Sequence, residues 1–146
     1  MHSTTGATLA ELLVVLAILG LGLGIGSLYL SPIEAPLQSA ATLVEGLCRQ
    51  ARLSAIATTS AYRVLPSTDR RLVAERASSC SATSWTPDGA TTVDLPKGVT
   101  VETTAWSVCF GSRGVSSDNQ QIRLQHAQLG SIGVEVLLGG TTRIVE

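Results

Sequence analysis

Histidine and cysteine are scarce in this 146-residue chain, and their scarcity removes most catalytic and metal chemistry at once. The two histidines are His2 and His126. A Ser/His/acid constellation would have to be built on His126, and neither a Gly-x-Ser-x-Gly elbow nor another nucleophile motif accompanies it. His126 reads as an exposed residue at a strand end, so no enzymatic activity and no cofactor are expected. The three cysteines, Cys48, Cys80 and Cys109, have no Cys-x-x-Cys spacing, which argues against a metal site. Asp88, Asp94 and Asp118 stand beside glycine or turn residues. Without the Asp-x-Asp-x-Asp series of a calcium loop they read as loop caps.

An excess of one charge sign is missing as well. Ten Lys and Arg stand against eleven Asp and Glu. With Glu11 assigned to an apolar run, the remainder balances, and no global field draws nucleic acid or lipid head groups. Any polyanion binding must come from a local patch, for which Arg113, Arg123 and Arg143 are the candidates.

What the chain does have is a long apolar run. Leu12 to Leu30 carries no charge and spans about 28 Å as a helix, enough to cross a bilayer core. Glu11 stands at its start. A carboxylate inside a membrane costs about 2.5 to 3.5 kcal/mol on insertion scales, so one found there normally has a partner and a job. An ordinary secretory signal would show a basic start and a small-x-small site after the run, whereas Met1 to Gly6 offers only His2. Gly20, Gly22, Gly24 and Gly26 recur at every second position, each costing about 1 kcal/mol of helix propensity relative to Ala, so the helix is built to loosen there. Pro32 and Pro36 then predict a break over residues 31–36.

From Leu37 the apolar period becomes 3.6, with Leu37, Ala40, Ala41, Val44, Leu47, Cys48, Ala51, Ala55 and Ile56 along one face. This predicts an amphipathic helix over 37–61, whose polar side carries Gln38, Glu45, Arg49, Gln50 and Arg52. A β-region over 62–146 follows. Arg63-Val64-Leu65 and Arg71 to Glu75 flank the turn Pro66 to Asp69 as a hairpin. Further strands are predicted at Thr91–Leu95, Val99–Thr103, Ser107–Phe110, Gln121–Gln125, Ile132–Leu138 and Thr142–Val145, with Gly139-Gly140 turning the last hairpin. The fold class is α+β: a long N-terminal helix, transmembrane over 7–30 and amphipathic beyond, packed on an antiparallel β-domain. The 110 or so residues beyond the apolar run suffice for one small domain.

Gly6, Ala7, Thr8-Leu9-Ala10-Glu11-Leu12-Leu13-Val14-Val15-Leu16-Ala17-Ile18-Leu19-Gly20 resembles the class III signal of type IV prepilins and pseudopilins. The resemblance implies a leader of residues 1–6, cut by a prepilin peptidase between Gly6 and Ala7, and methylation of the new Ala7 amine. It implies that Glu11 neutralises the N-terminal amine of a neighbouring subunit during filament assembly. Ala7 stands where the family most often has Phe, and the leader lacks its usual Lys or Arg. A second resemblance, to minor pseudopilins of the GspH and FimT/FimU type, rests on Gln50 to Ile56, Leu95-Pro96-Lys97-Gly98-Val99, Val108 to Gly114 and Gly140-Thr141-Thr142-Arg143-Ile144. It implies two facing antiparallel sheets against the helix and a subunit used at filament initiation or at the tip. The implied partners are prepilin peptidase, other minor and major pilins or pseudopilins, and the inner membrane, with the globular part on the extracytoplasmic side.

In that oxidising compartment the three cysteines allow one disulfide, in three pairings. If Val108 and Phe110 face the core, Cys109 faces away from it, while Cys48 lies on the apolar helix face. Cys80 with Cys109 is the favoured pair, leaving Cys48 buried as a small hydrophobe. The alternative function is DNA capture, since some FimT-like minor pilins bind DNA through a C-terminal Gly-Arg-x-Arg motif. The matching place here, Gly140-Thr141-Thr142-Arg143, retains one Arg.

Overall fold

The computed structural model describes residues 9–28 and 35–145, in two compact units divided after Ile33. Gly6 and Ala7 lie outside the described residues, as do residues 31–34 of the expected break. The first unit contains α1 (Leu9–Leu28), which is helical through Gly20, Gly22, Gly24 and Gly26. Its side chains are described over residues 9–18, where Leu12, Leu13, Val14, Val15, Leu16 and Ile18 are all exposed. Among the described residues no helix is long and apolar enough to cross a membrane.

The second unit is built on α2 (Ala35–Thr58), which begins two residues before the expected start and ends three before the expected end. Pro36 therefore lies inside the first turn, where its missing N–H leaves no hydrogen bond unmade and its fixed φ suits a helix. The C-terminus closes with Ser60 N–H donating to Ala55 O at 3.1 Å and Thr59 N–H to Ile56 O at 3.3 Å. This double closure needs a left-handed residue after the last turn. Thr59 takes that place with φ 51°, a conformation that crowds a β-branched side chain.

Two four-stranded antiparallel sheets complete the unit. The first has the order β3-β2-β1-β5 and contains β1 (Ala61–Pro66), β2 (Arg71–Ala77), β3 (Thr86–Asp94) and β5 (Val108–Phe110). The second has the order β4-β6-β7-β8 and contains β4 (Val99–Val101), β6 (Gln120–His126), β7 (Gly130–Val136) and β8 (Thr142–Val145). The period-two pattern sets the faces: Tyr62, Val64, Leu72, Ala74, Val108 and Phe110 from one sheet and Ile122, Leu124, Ile132, Val134 and Val136 from the other are buried. All of them except Ala74 share one core with Leu37, Ala40, Ala41, Val44, Leu47, Cys48, Ala51 and Ala55 of α2. Four of those eight helix residues are alanines, which let the backbone of α2 lie close to the sheets. Each fully buried Val, Leu or Phe contributes about 1.5 to 3 kcal/mol, whereas exposed ion pairs contribute about 0 to 1, so this core holds the unit together.

Several strand bounds move, β3 by the most. β3 starts at Thr86, five residues before the predicted strand, and its register jumps from Val73↔Thr92 to Ala74↔Asp88, leaving Gly89-Ala90-Thr91 looped out. The loop is closed by Asp88, which accepts from Ala90 N–H at 3.3 Å and from Thr91 Oγ1 at 2.9 Å, so this aspartate acts as a cap. The irregularity hides β3 from a strict alternation rule. β4 ends at Val101 and β7 at Val136, short of Thr103 and Leu138. In the last hairpin Leu137 N–H donates to Thr141 O at 2.9 Å and Gly140, at φ 77°, closes onto Leu137 O at 2.7 Å. The turn is thus Leu138-Gly139-Gly140, with glycine where the left-handed conformation is required.

Candidate functional site

Glu11 is the first-turn acid of α1, two residues after the helix begins at Leu9. Around it Leu9 is 79% exposed and Leu12 58%. The arrangement is one acidic group in an apolar helical surface, suited to burial against other apolar helices when its charge is met.

In the second unit the segment between β2 and β3 folds over the outer face of the first sheet. Cys80 is joined to Cys109 by a disulfide, with their Cα atoms 5.8 Å apart. Cys109 lies opposite Arg63 in the β1/β5 register, and Arg63 lies opposite Glu75 in the β1/β2 register. Arg63 Nη2 meets Glu75 Oε2 at 2.6 Å, while the guanidinium carbon sits 4.3 Å from the centre of the Trp85 ring. Trp85 in turn donates its indole N–H to Ala82 O at 3.0 Å. Disulfide, ion pair and stacked ring together fasten this strap, and Cys109 is 7% exposed at its anchor. Sequence reasoning missed Arg63 and Trp85, since nothing local links residues 22 apart. Cys48 remains as a buried thiol, pushed up to about 12 by burial first and by the nearby Glu45 charge second.

The three arginines considered for DNA do not form one cluster. Arg143 Nη2 meets Glu135 Oε2 at 2.6 Å, and Arg123 Nε lies 3.6 Å from Glu102 Oε2. Both project from the outer face of the second sheet, on β8 and β6, separated by β7. Arg113 is exposed in the turn after β5, outside either sheet. Two of the three charges are thus met within the protein. Beside Arg123 a cleft of about 640 Å³ is lined by Gly98, Thr100, Glu102, Gln125, His126 and Ser131 among others. His126 ends β6 and is half-buried against Gly98, where an added Cβ would lie 2.6 Å from Nε2. Its role here is packing. Asp94, expected as a cap, instead takes a two-point contact from Arg71, at 2.7 and 3.0 Å, which lowers its carboxyl pKa. Among the described residues no group of three or more His, Cys, Asp and Glu could hold a metal ion.

Arg52, expected on the solvent side of α2, has a structural task. Its Nε donates to Gly114 O at 2.9 Å, drawing the turn Gly111–Gly114 onto the helix. An added Cβ on Gly114 would lie 2.7 Å from Ile56 Cδ1, and one on Gly140 would meet the Gly114 carbonyl oxygen and lie 2.9 Å from Arg52 Nε. The glycine of the Gly140-Thr141-Thr142-Arg143 segment is therefore required by backbone approach. Helix and both turns meet at this point. Only the glycines themselves, at positions 114 and 140, hinted at it.

A helix laid across two four-stranded antiparallel sheets is a pilin-like fold. Among solved structures, the chain is similar to the type IV minor pilin FimU of Pseudomonas aeruginosa, with a TM-score of 0.57 and 17% identity over 75% of this chain and 87% of that one. It is also similar to the minor pseudopilin EpsH from the type 2 secretion system of Vibrio cholerae, at a TM-score of 0.57 and 13% identity, covering 75% of this chain and 96% of that one. A second crystal form of FimU gives the same TM-score at 16% identity. No family model and no curated protein matches the sequence. At these identities the likeness establishes a shared fold.

Proposed function

We propose that the chain is a minor pilin or pseudopilin, a structural and assembly subunit acting at the initiation or tip of a type IV pilus or type II secretion pseudopilus. The observation that carries the reading is the coincidence of two independent features: a pilin-like globular unit, and Gly6-Ala7 four residues before a carboxylate in an apolar run. In this reading residues 7–30 span the inner membrane and the leader 1–6 is removed by prepilin peptidase. The Ala7 amine is then methylated, and Glu11 meets an Ala7 amine when subunits pack. The alternating glycines of α1 let that helix extend on assembly. DNA capture has less support, because binding phosphates through Arg123 and Arg143 would break two ion pairs.

Replacing Glu11 tests the assembly role. Glu11→Ala makes membrane insertion easier, so it should leave insertion and cleavage intact, while the unmatched ammonium of a neighbour reduces incorporation into filaments. Intact-mass analysis of the membrane form and counts of assembled filaments with co-expressed subunits read the two effects. A mature N-terminus downstream of Leu30 overturns the family reading. Filament counts equal to wild type for Glu11→Ala overturn the contact.

A further inference from the structure

The large hydrophobic side chains exposed on the second unit are few and gathered. They are Leu43, Leu53, Ile56, Val115 and Leu138, exposed by 40, 60, 45, 50 and 51% respectively. Leu53 and Ile56 are three apart on the last turns of α2 and so share a face. Ile56 packs where Gly114 closes on the helix, and Val115 follows directly in the chain. Leu138 is tied to the same place, since Ser116 N–H donates to Leu138 O at 3.0 Å and Gly111 N–H donates to Val115 O at 3.0 Å. Four of the five thus surround the junction of the helix and the two turns, leaving Leu43 apart.

Two arginines stand at this junction without an ion pair among the described residues. Arg52 is half-buried and Arg113 is exposed in the turn itself. The other half-buried arginine, Arg63, has Glu75 at 2.6 Å. Arg52 has only the Gly114 carbonyl, and among the described residues no carboxylate reaches ion-pair distance of Arg52 or Arg113, Asp118 included. A guanidinium presents five donors, of which Arg52 commits one here. An apolar patch centred on an arginine with unused donors has the composition of an interface hot spot. An acidic partner would complete it.

We propose that this patch, Leu53, Ile56, Val115 and Leu138 around Arg52 and Arg113, docks a carboxylate-bearing apolar segment of a different subunit of the same filament. This rests on the pilin reading above. A second copy fits poorly, because a two-fold contact would set Arg52 and Arg113 against their own equivalents. Charge complementarity favours instead a partner whose Asp or Glu enters beside Arg52 with apolar neighbours over Leu53 and Leu138.

A photo-crosslinking residue placed at Leu138 in the full chain, expressed with its companion filament subunits in the native host, reads the contact, with one at Leu43 as reference. The expected product joins position 138 to an acidic segment of another pilin-like subunit. It falls about tenfold or more with Arg52→Glu, and returns when the mapped acid is changed to Arg. Because Arg52 also fastens the turn, Leu53→Asp is measured beside it with the crosslinker kept at 138. The Leu53 side chain is 60% exposed, so this variant should keep the melting temperature of wild type and still abolish the product. Crosslinks to a second copy, or to nucleic acid, overturn the proposal. So does silence at 138 when the Leu43 reference crosslinks within filaments. A chain that enters no filament at all overturns both this inference and the assembly role.

Discussion

Alanine at position 140 should cost the second unit about 2.5 to 5 kcal/mol, whereas alanine at position 139, one residue away, should cost almost nothing. Gly140 has φ 77°, a region where an L side chain costs about 1 to 2 kcal/mol. The new methyl group would also stand on the Gly114 carbonyl oxygen and 2.9 Å from Arg52 Nε, so the Gly111–Gly114 turn must move away from the helix. Moving it gives up the Arg52 to Gly114 hydrogen bond, whose charged donor is worth about 1.5 to 3 kcal/mol. Gly139 has nothing within 4 Å of an added Cβ and does not occupy the left-handed region. Against a total stability of about 5 to 15 kcal/mol, the Gly140 loss is large. Urea denaturation followed by circular dichroism on the fragment 34–146 measures both variants. Equal midpoints for Gly140→Ala and Gly139→Ala would falsify the claim that backbone approach demands this glycine, and would return the Gly140–Arg143 segment to a binding role.

Three further outcomes follow from the same structure. Replacing Cys80 and Cys109 by Ser should cost about 3.5 kcal/mol by loop closure over their 29-residue separation, read as a lower denaturation midpoint; no change would mean the strap holds without it. Cys48 should resist alkylation at pH 8 to 9 until the unit unfolds. Because its folded pKa is raised from 9.0 to about 12, stability is full below about pH 9 and falls as pH rises toward 12, a slope that Cys48→Ala should reduce in pH-dependent denaturation. Thr59→Gly should raise stability by about 0.5 to 1 kcal/mol, since glycine relieves the left-handed cap; a decrease in melting temperature would show that the Thr59 side chain contributes more than its strain costs.

The α+β class and the helix face from Leu37 to Ala55 were readable from the sequence, because a helix buried on one side writes its period directly into the apolar positions. The first hairpin and the last were readable for the same local reason: alternation broken by turn residues. The strand parity of Val108, Cys109 and Phe110 pointed to the pairing that the structure contains, with Cys109 turned from the core toward Cys80.

Local pattern could not reach features made by residues distant in the chain. The looped-out Gly89-Ala90-Thr91 broke the alternation of β3, so its first half was unreadable. Arg63 and Trp85, or Arg52 and Gly114, meet because a strap and a turn happen to return to one place, and nothing in the intervening residues encodes that distance. The three arginines looked equivalent as sequence, yet the register of β7 against β8 sets Glu135 opposite Arg143, while Arg113 stays exposed in a turn. Sequence by itself determined the periodic faces, the apolar run with Glu11 and the class of fold, since these depend on neighbours within a few residues. Tertiary structure alone decided which charges are met and which glycines are irreplaceable, because ion pairing and backbone approach depend on the ångström-scale separation of segments that only the packed core brings together.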